Sequence, residues 1–221
     1  IGHEMGDKDL NIYSEGLGIL VDDGIILSIR DSEDLISEYA PSWDRNSEMI
    51  GDMNIIDAKG GAIVPGFVDS HTHLIWDGDR SNEMALRQRG LSYSDISKIG
   101  GGISKTVEAT RSRSIQELVD LGVQRASNAL RMGTTTMEAK SGYGLSTESE
   151  LKLLEATERV NRISDCDIQA PWLGAHDVPK QNSKEEYIEE LIGKQLPMVV
   201  QQGIAEWADV FCEPGWFTVD D

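Results

Sequence analysis

Two histidines, His71 and His73, are the residues best placed to do chemistry, because they lie at the end of an apolar, β-prone run that begins near Ile63. In a strand, residues i and i+2 share a face, so both imidazoles can reach one metal ion. A catalytic zinc site usually has three protein ligands and an open position for water. The pair therefore predicts part of a metal site, and the rest of the chain must supply more.

Other polar residues follow later strand-like segments. Lys140 to Tyr143, His176 and Glu213 each stand at the carboxyl end of such a segment. In a (β/α)8 barrel the active site is built at that edge. A doubly wound sheet also binds ligands at its strand ends, but it would not need a histidine pair inside the first strand. The pattern favours an α/β protein with a TIM barrel, of which about the first half is present.

The elements that must position these groups alternate from residue 63 onward, as in a parallel α/β fold. Strands are predicted at 63–73, 134–139, 168–173 and 208–212. Helices are predicted to begin at Ser114, Thr147 and Ser183, because each is followed three residues later by glutamate, the capping-box pattern. Pro197 should end or kink the third of these helices. We assign residues 63–221 to the half barrel.

Residues 1–62 show a different pattern of short β segments. Asp22-Asp23-Gly24 predicts a hairpin turn between two apolar runs. The polar stretch between Asp31 and Asn54 is expected to be a loop, or to be partly helical around Asp34 to Tyr39, and a short strand is expected at Ile55-Ile56-Asp57. These pieces predict a small, incomplete β-sheet domain.

Composition excludes some partners. The chain has 221 residues, 39% of them hydrophobic, which is ordinary for a globular protein. Its formal net charge of -19 argues against nucleic acid or an anionic membrane as partner, since both need cationic surfaces. No membrane span or signal peptide is expected. Cys166 and Cys212 are expected to be reduced core thiols, which fits a cytoplasmic protein.

The ends of the sequence suggest a fragment. It begins at Ile1 without an initiator methionine, and it stops at Asp220-Asp221 directly after a strand-like run. We therefore expect the chain to be part of a longer protein.

Several motifs carry a family resemblance. Pro65 to His73 resembles the first motif of the amidohydrolase superfamily, and an ordered set of further tracts is similar to the imidazolonepropionase family. Those tracts are Gly78-Asp79-Arg80, Gly100-Gly101-Gly102-Ile103, Lys140-Ser141-Gly142-Tyr143-Gly144-Leu145, Leu173-Gly174-Ala175-His176 and Asp209-Val210-Phe211-Cys212-Glu213. The resemblance runs from about Gly18 to the last residue. The first motif is shared by many hydrolases and deaminases, whereas the ordered set is specific.

The resemblance implies a metal-dependent hydrolase barrel with a small amino-terminal β-sandwich-like domain. It implies hydrolysis of the cyclic amide of 4-imidazolone-5-propanoate, a small anionic substrate, to N-formimidoyl-L-glutamate. It also implies a homodimer with one metal ion per subunit, zinc or iron, since imidazole ligands suit both. The family's remaining metal ligands, a histidine and an aspartate, would lie beyond Asp221.

The resemblance also gives roles to individual residues. His71 and His73 match the metal ligands, and Arg80 matches the residue that grips the substrate's propanoate, which a planar guanidinium can do with two bonds. Tyr143 matches a substrate contact, and Tyr93 could add a hydroxyl to the same pocket. His176 is the expected catalytic residue, because the resemblance implies that it contacts the imidazolone ring or the developing tetrahedral centre.

Simpler roles compete with each assignment. Arg80 could be a solvated surface arginine, the tyrosines could serve only in packing, and His176 could be a core histidine bonded to the backbone. We leave Lys140 out, because a lysine that bridges two metals belongs to another branch of the superfamily. Two other functions also stay open: another single-metal amidohydrolase, such as an aminoheterocycle deaminase, and a non-catalytic fragment or pseudoenzyme.

Overall fold

The computed structural model describes residues 15–92, 95–96, 99–213 and 215–221, which fall into two compact units, Ile1–Pro65 and Gly66–Asp221. The strands are β1 Leu17–Asp22, β2 Ile25–Asp31, β3 Met49–Ile50, β4 Met53–Asn54, β5 Phe67–Thr72, β6 Thr134–Ala139, β7 Asp167–Gln169, β8 Trp172–Ala175 and β9 Ala208–Val210. The helices are α1 Ser32–Tyr39, α2 Asn82–Gln88, α3 Ile103–Ser112, α4 Ile115–Arg131, α5 Thr147–Ile163, α6 Lys184–Glu190 and α7 Leu196–Gln202. A π-helical segment, Leu191–Gln195, joins α6 to α7.

The first unit contains the predicted hairpin. Strands β1 and β2 pair antiparallel, and the turn residues Asp23 and Gly24 have φ values of 45° and 75°. Two successive positive φ angles match the twist of a tight hairpin, which explains the Asp-Gly pair. Helix α1 confirms the predicted helical stretch, with the Asp31 side chain accepting hydrogen bonds at its amino end.

One expectation for the first unit is wrong. Residues 55–57 are not a strand; the strand pairing instead lies just before them, between β3 and β4. Gly51, at φ 58°, turns the chain there and sets the position of that short hairpin. Ile56 consequently lies 92% exposed.

The second unit is built on parallel strands, as the sequence predicts. Strand β6 lies between β5 and β7, and β8 pairs with β9. The predicted third strand, 168–173, is split into β7 and β8 by Ala170-Pro171. Proline has no amide hydrogen to continue a ladder, so pairing stops there and resumes in a second sheet.

Helix starts follow the sequence at two of the three predicted places. Both reciprocal hydrogen bonds of the capping box form at Ser114 and again at Ser183. The box predicted at Thr147 is wrong, because Ser146 is the residue before α5 and its side chain makes no capping bond. At Pro197 the helical run does not end: it changes to π-helical hydrogen bonding at Leu191–Gln195, and the proline falls in the first turn of α7.

The core of the second unit lies between α4, α5 and the strands. Leu118 and Leu153 are fully buried in it, and Gly122 of α4 allows a close approach, since a Cβ there would lie 2.5 Å from the side chain of Ile75. Cys166 belongs to this core, whereas Cys212 is exposed, which corrects the expectation of two core thiols. Within the described part of the chain, no helix combines the length and apolarity that crossing a membrane requires.

Candidate active site

His71 and His73 lie at the carboxyl end of β5, which neighbouring β6 holds in place. The Thr72 hydroxyl donates to the Glu138 carbonyl at 2.6 Å, and the Lys140 amide donates to the Thr72 carbonyl at 2.9 Å. The two imidazole centroids are 6.1 Å apart with a 75° angle between the ring planes. Tetrahedral coordination with zinc–nitrogen bonds of about 2.1 Å places two imidazole centroids roughly 5.3 Å apart. The rings would therefore have to approach by about 0.8 Å to share such an ion.

His73 has the protonation state that a metal ligand needs. Burial, then the neighbouring His176 and His71, lower its pKa to about 3, so the ring is neutral at physiological pH. Its Nδ1 is buried and has no hydrogen-bond partner among the described residues. A buried nitrogen of this kind is costly unless it is satisfied, and a metal bond would satisfy it.

The described residues supply only part of a metal centre. Over those residues no group of three or more His, Cys, Asp or Glu side chains is arranged to hold an ion. The donor chemistry of His71 and His73 fits a divalent metal, as half of a ligand set.

His176 and Tyr143 complete a cluster of four rings with the two histidines. His176 stacks on His73 at 4.6 Å between centroids with a 12° interplanar angle, and the Tyr143 ring lies 4.8 Å from His73 and 5.2 Å from His176. Strands β5 and β6 are parallel neighbours, so the residues that follow them, His73 and Tyr143 among them, lie at one edge, and His176 follows β8 of the second sheet. We call these four residues the ring cluster.

The tautomer of His176 follows from its backbone contact. Nδ1 lies 2.8 Å from the carbonyl oxygen of Gly142. A carbonyl can only accept, so Nδ1 carries the hydrogen and the neutral ring keeps a lone pair on Nε2. Burial lowers the pKa of His176, which favours this neutral form. The ring can therefore accept a hydrogen bond or a proton at Nε2.

A buried glutamate organises the loop that carries Tyr143. Glu150, in the first turn of α5, is 0% exposed and accepts hydrogen bonds from the amides of Gly142, Gly144 and Leu145 at 2.9, 2.7 and 2.9 Å. Burial raises the pKa of Glu150, and hydrogen bonds from the Ser141 side chain and the three amides act in the opposite direction. A buried carboxyl is tolerated only with such partners, so the loop and α5 depend on each other.

Helix α3 holds the same loop from the other side. The Arg111 guanidinium donates to the carbonyls of Gly144 and Leu145 at 2.6 and 2.7 Å. Leu145 has a φ of 47°, a left-handed conformation that destabilises the fold by about 1–3 kcal/mol for a residue other than glycine. Glu150 at its amide and Arg111 at its carbonyl stabilise this conformation together.

Arg80 lies in the loop before α2 and makes a two-pronged ion pair with Glu83. Its Nε and Nη2 donate to the carboxylate at 3.0 and 2.7 Å. Glu83 is buried and also accepts from the Gly102 amide at 2.7 Å, just before α3. Arg80 holds the pKa of Glu83 below its ordinary value. The guanidinium is thus oriented by a buried carboxylate, as a residue that presents donors to an anion should be.

Lys140 has a role in ion pairing at the same edge. Its ammonium group, with 7% of the side chain exposed, lies 2.8 Å from Glu138 and 2.9 Å from Asp209. These partners outweigh desolvation and raise the pKa of Lys140, so the side chain is cationic. The pair ties the ends of β6 and β9 together.

The structure thus brings four of the six predicted site residues into one cluster and places Arg80 in a separate ion pair. Tyr93 lies outside the described residues. Glu150 and Glu83 were not predicted as part of the site. The sequence pattern gives Glu150 the role of the capping-box glutamate that follows Thr147 by three residues. Only its position after the Gly-Tyr-Gly loop signals another role.

Comparisons with known proteins agree on one group. A profile described as "Amidohydrolase family" matches residues 54–142. Imidazolonepropionases match most of the chain: one from Alkaliphilus metalliredigens is 41% identical over 90% of the chain and 47% of its own length. Those from Haloarcula marismortui and Thermoanaerobacter pseudethanolicus are 39% and 44% identical over 99% and 86% of the chain, and 50% and 45% of their own lengths. The chain spans about half the length of the curated relatives it matches.

Proposed function

We propose that the protein containing this chain is an amidohydrolase and, more narrowly, an imidazolonepropionase, which hydrolyses 4-imidazolone-5-propanoate to N-formimidoyl-L-glutamate. The ring cluster carries the proposal. Its four residues, which the sequence motifs predict as site residues, lie together after the carboxyl ends of parallel strands, where hydrolase barrels build their active sites. Similarity to imidazolonepropionases over nearly the whole chain supports the choice of substrate.

The proposed fold of the complete protein is a (β/α)8 barrel with a small β-sandwich-like domain. The parallel pairing of β5, β6 and β7, with helices between them, supports the barrel. Residues 63–221 would form its first half, and residues 1–62 would belong to the smaller domain. The hairpin of β1 and β2 is consistent with the smaller domain.

His71 and His73 would hold one metal ion per subunit, zinc or iron, together with ligands from the rest of the barrel. When bound, the ion supplies Lewis-acid chemistry, polarising a carbonyl and activating water near neutral pH. The neutral state of His73 and its unsatisfied Nδ1 support this role.

The remaining members of the ring cluster would bind and orient the substrate. Tyr143 can offer its hydroxyl, and His176 can accept a hydrogen bond at Nε2 while Gly142 fixes its orientation. In the net reaction, the oxygen of water bonds to the ring carbonyl carbon, the adjacent C–N bond breaks, and a proton from water ends on the departing nitrogen. Nε2 of His176 is suited to hold that proton in transit.

Arg80 would bind the propanoate of the substrate, with Tyr93 as a second contact. The Arg80 guanidinium is held by Glu83, so its orientation is fixed before an anion arrives. Because Glu83 balances the charge of Arg80, the guanidinium would bind the propanoate through directed hydrogen bonds rather than through a net local positive charge. We further propose a cytoplasmic homodimer with no nucleic-acid or membrane partner.

The test is mass spectrometry of the products formed by the complete, metal-loaded protein. It is offered freshly made 4-imidazolone-5-propanoate and several aminoheterocycles. We expect the imidazolone alone to gain one water. Exchange of an amino group for oxygen on another compound, with the imidazolone unchanged, would reassign the protein as a deaminase. An inability to retain any divalent metal would favour a non-catalytic protein.

A substitution at Arg80 tests the binding role. Arg80→Ala should raise KM while changing kcat little, because a carboxylate remote from the reacting carbonyl is held alike in ground and transition states. Arg159→Ala is the control, since Arg159 pairs with Glu155 on the exposed side of α5. An unchanged KM in the Arg80 variant would contradict the assignment.

A further inference from the structure

Glu150 connects to the ring cluster through Gly142 and Gly144, the residues on either side of Tyr143. The Glu150 carboxylate accepts from the Gly142 amide, and the Gly142 carbonyl accepts from Nδ1 of His176. Tyr143 follows directly, and the amide after it, that of Gly144, also donates to Glu150. Any movement of the carboxylate is therefore transmitted to both Tyr143 and His176.

We call Glu150 and its hydrogen bonds to the amides of Gly142, Gly144 and Leu145 the clamp, and it has features that a simple packing contact lacks. All three backbone partners of Glu150 are donors, so both carboxylate oxygens are used as acceptors. Gly142 has a φ of 107°, and a Cβ there would lie 2.8 Å from Nδ1 of His176, so the loop closely approaches the ring. Arg111 also holds this loop, at the carbonyls of Gly144 and Leu145, but the buried carboxylate is the group bonded to Gly142 itself, the residue that contacts His176.

We infer that Glu150 is a positioning residue for the proposed hydrolysis: it places the Tyr143 hydroxyl and the Nε2 lone pair of His176 where they meet the substrate. This inference rests on the proposed function for its kinetic consequence. The geometric part, that Glu150 determines the environment of His176, stands without it.

The first experiment uses Glu150→Gln in the complete protein. Glutamine has nearly the same volume, but its NH2 group must face one of three amide donors, so the clamp loses an acceptor. We expect metal content to be unchanged and kcat/KM to fall by about 100-fold, the scale of a misplacement of about 1 Å. Glu190→Gln is the matched control, because Glu190 also accepts hydrogen bonds near the start of α5, both from Thr147 to one oxygen, and the glutamine oxygen can still accept them. Its kcat/KM should stay within about threefold of the parent, in the range of a small packing change.

A double-mutant cycle with Tyr143→Phe separates positioning from loss of structure. If Glu150 acts partly by placing the Tyr143 hydroxyl, the Gln substitution should cost about tenfold less when that hydroxyl is already absent. An equal cost in both backgrounds, or a loss that follows the fraction of folded or metal-free protein, would overturn the inference.

Histidine NMR gives a readout that needs no turnover. With ¹⁵N-labelled histidine, the Nδ1–H of His176 bonded to Gly142 should give a signal that shifts in Glu150→Gln and not in Glu190→Gln. An unmoved signal would overturn the inference even if the protein hydrolyses the imidazolone. A shifted signal in a protein that leaves the imidazolone unchanged would retain the geometric part and refute the proposed function instead. Should Glu150→Gln fail to fold, Glu150→Asp serves instead, because it retains the charge but withdraws the carboxylate by one methylene. The His176 signal should shift in that variant too, and an unmoved signal would overturn the inference.

Discussion

Gly142→Ala should disturb the ring cluster without touching its chemistry. The new Cβ would lie 2.8 Å from Nδ1 of His176 and 2.9 Å from the Leu173 carbonyl, whereas ordinary contact begins at 3.4 Å. The imidazole must therefore move by about 0.6 Å, the difference between the clash and ordinary contact. Since a misplacement of about 1 Å can cost about 100-fold, we expect kcat/KM to fall by roughly tenfold.

The same substitution also strains the backbone, so a control is needed. Alanine at a φ of 107° should lower the free energy of unfolding by about 1–3 kcal/mol. Gly203→Ala strains the backbone less, at φ 69° in the left-handed helical region, and has nothing within 4 Å of the new Cβ. The assay is kcat/KM and metal content per folded molecule for both variants, with folded fractions taken from urea unfolding. If Gly142→Ala matches Gly203→Ala within twofold, His176 does not depend on this approach and the reasoning fails.

Two further predictions concern stability. Arg80 holds the pKa of Glu83 below its ordinary value of 4.5, so the stabilisation by this pair is complete above that pH and is lost as the pH falls through the lower pKa of the folded state. Between pH 6 and about 3, the unfolding free energy of Glu83→Gln should therefore fall less steeply than that of the parent, by up to about 1.4 kcal/mol per pH unit. Equal slopes in urea unfolding of the two proteins would contradict this. Leu118→Ala, at a fully buried position, should lower the free energy of unfolding in urea by about 2–5 kcal/mol. Met132→Ala, at an exposed position, should change it by no more than about 0.5 kcal/mol. Equal stability of the two variants would contradict the core described for α4.

Local sequence signals predicted the features that local contacts determine. The Asp23-Gly24 turn and the capping boxes at Ser114 and Ser183 all formed, because their partners lie within three residues. Thr147 was different. Its amide and hydroxyl donate to Glu190, which is 43 residues away, and no short-range pattern contains that contact.

The candidate site shows the same division. Strand-end placement indicated His71, His73, Tyr143 and His176, and the structure brings their rings together. The contacts that orient them could not be read from spacing, because they depend on how distant segments pack. Arg111 reaches the loop from another helix, and Pro171 interrupts a strand that composition alone makes continuous.

The distant cap on α5 has a consequence for the order in which the chain folds. Helices α4 and α6 carry their own capping boxes and can begin to form from local sequence. The first turn of α5 is completed only when Glu190 of α6 arrives, after a loop of more than 40 residues has closed. We expect its φ-values in refolding kinetics to be low at Thr147 and higher in the two self-capped helices. The Tyr143 loop, which depends on that same turn, would then be among the last parts of this unit to reach its native arrangement.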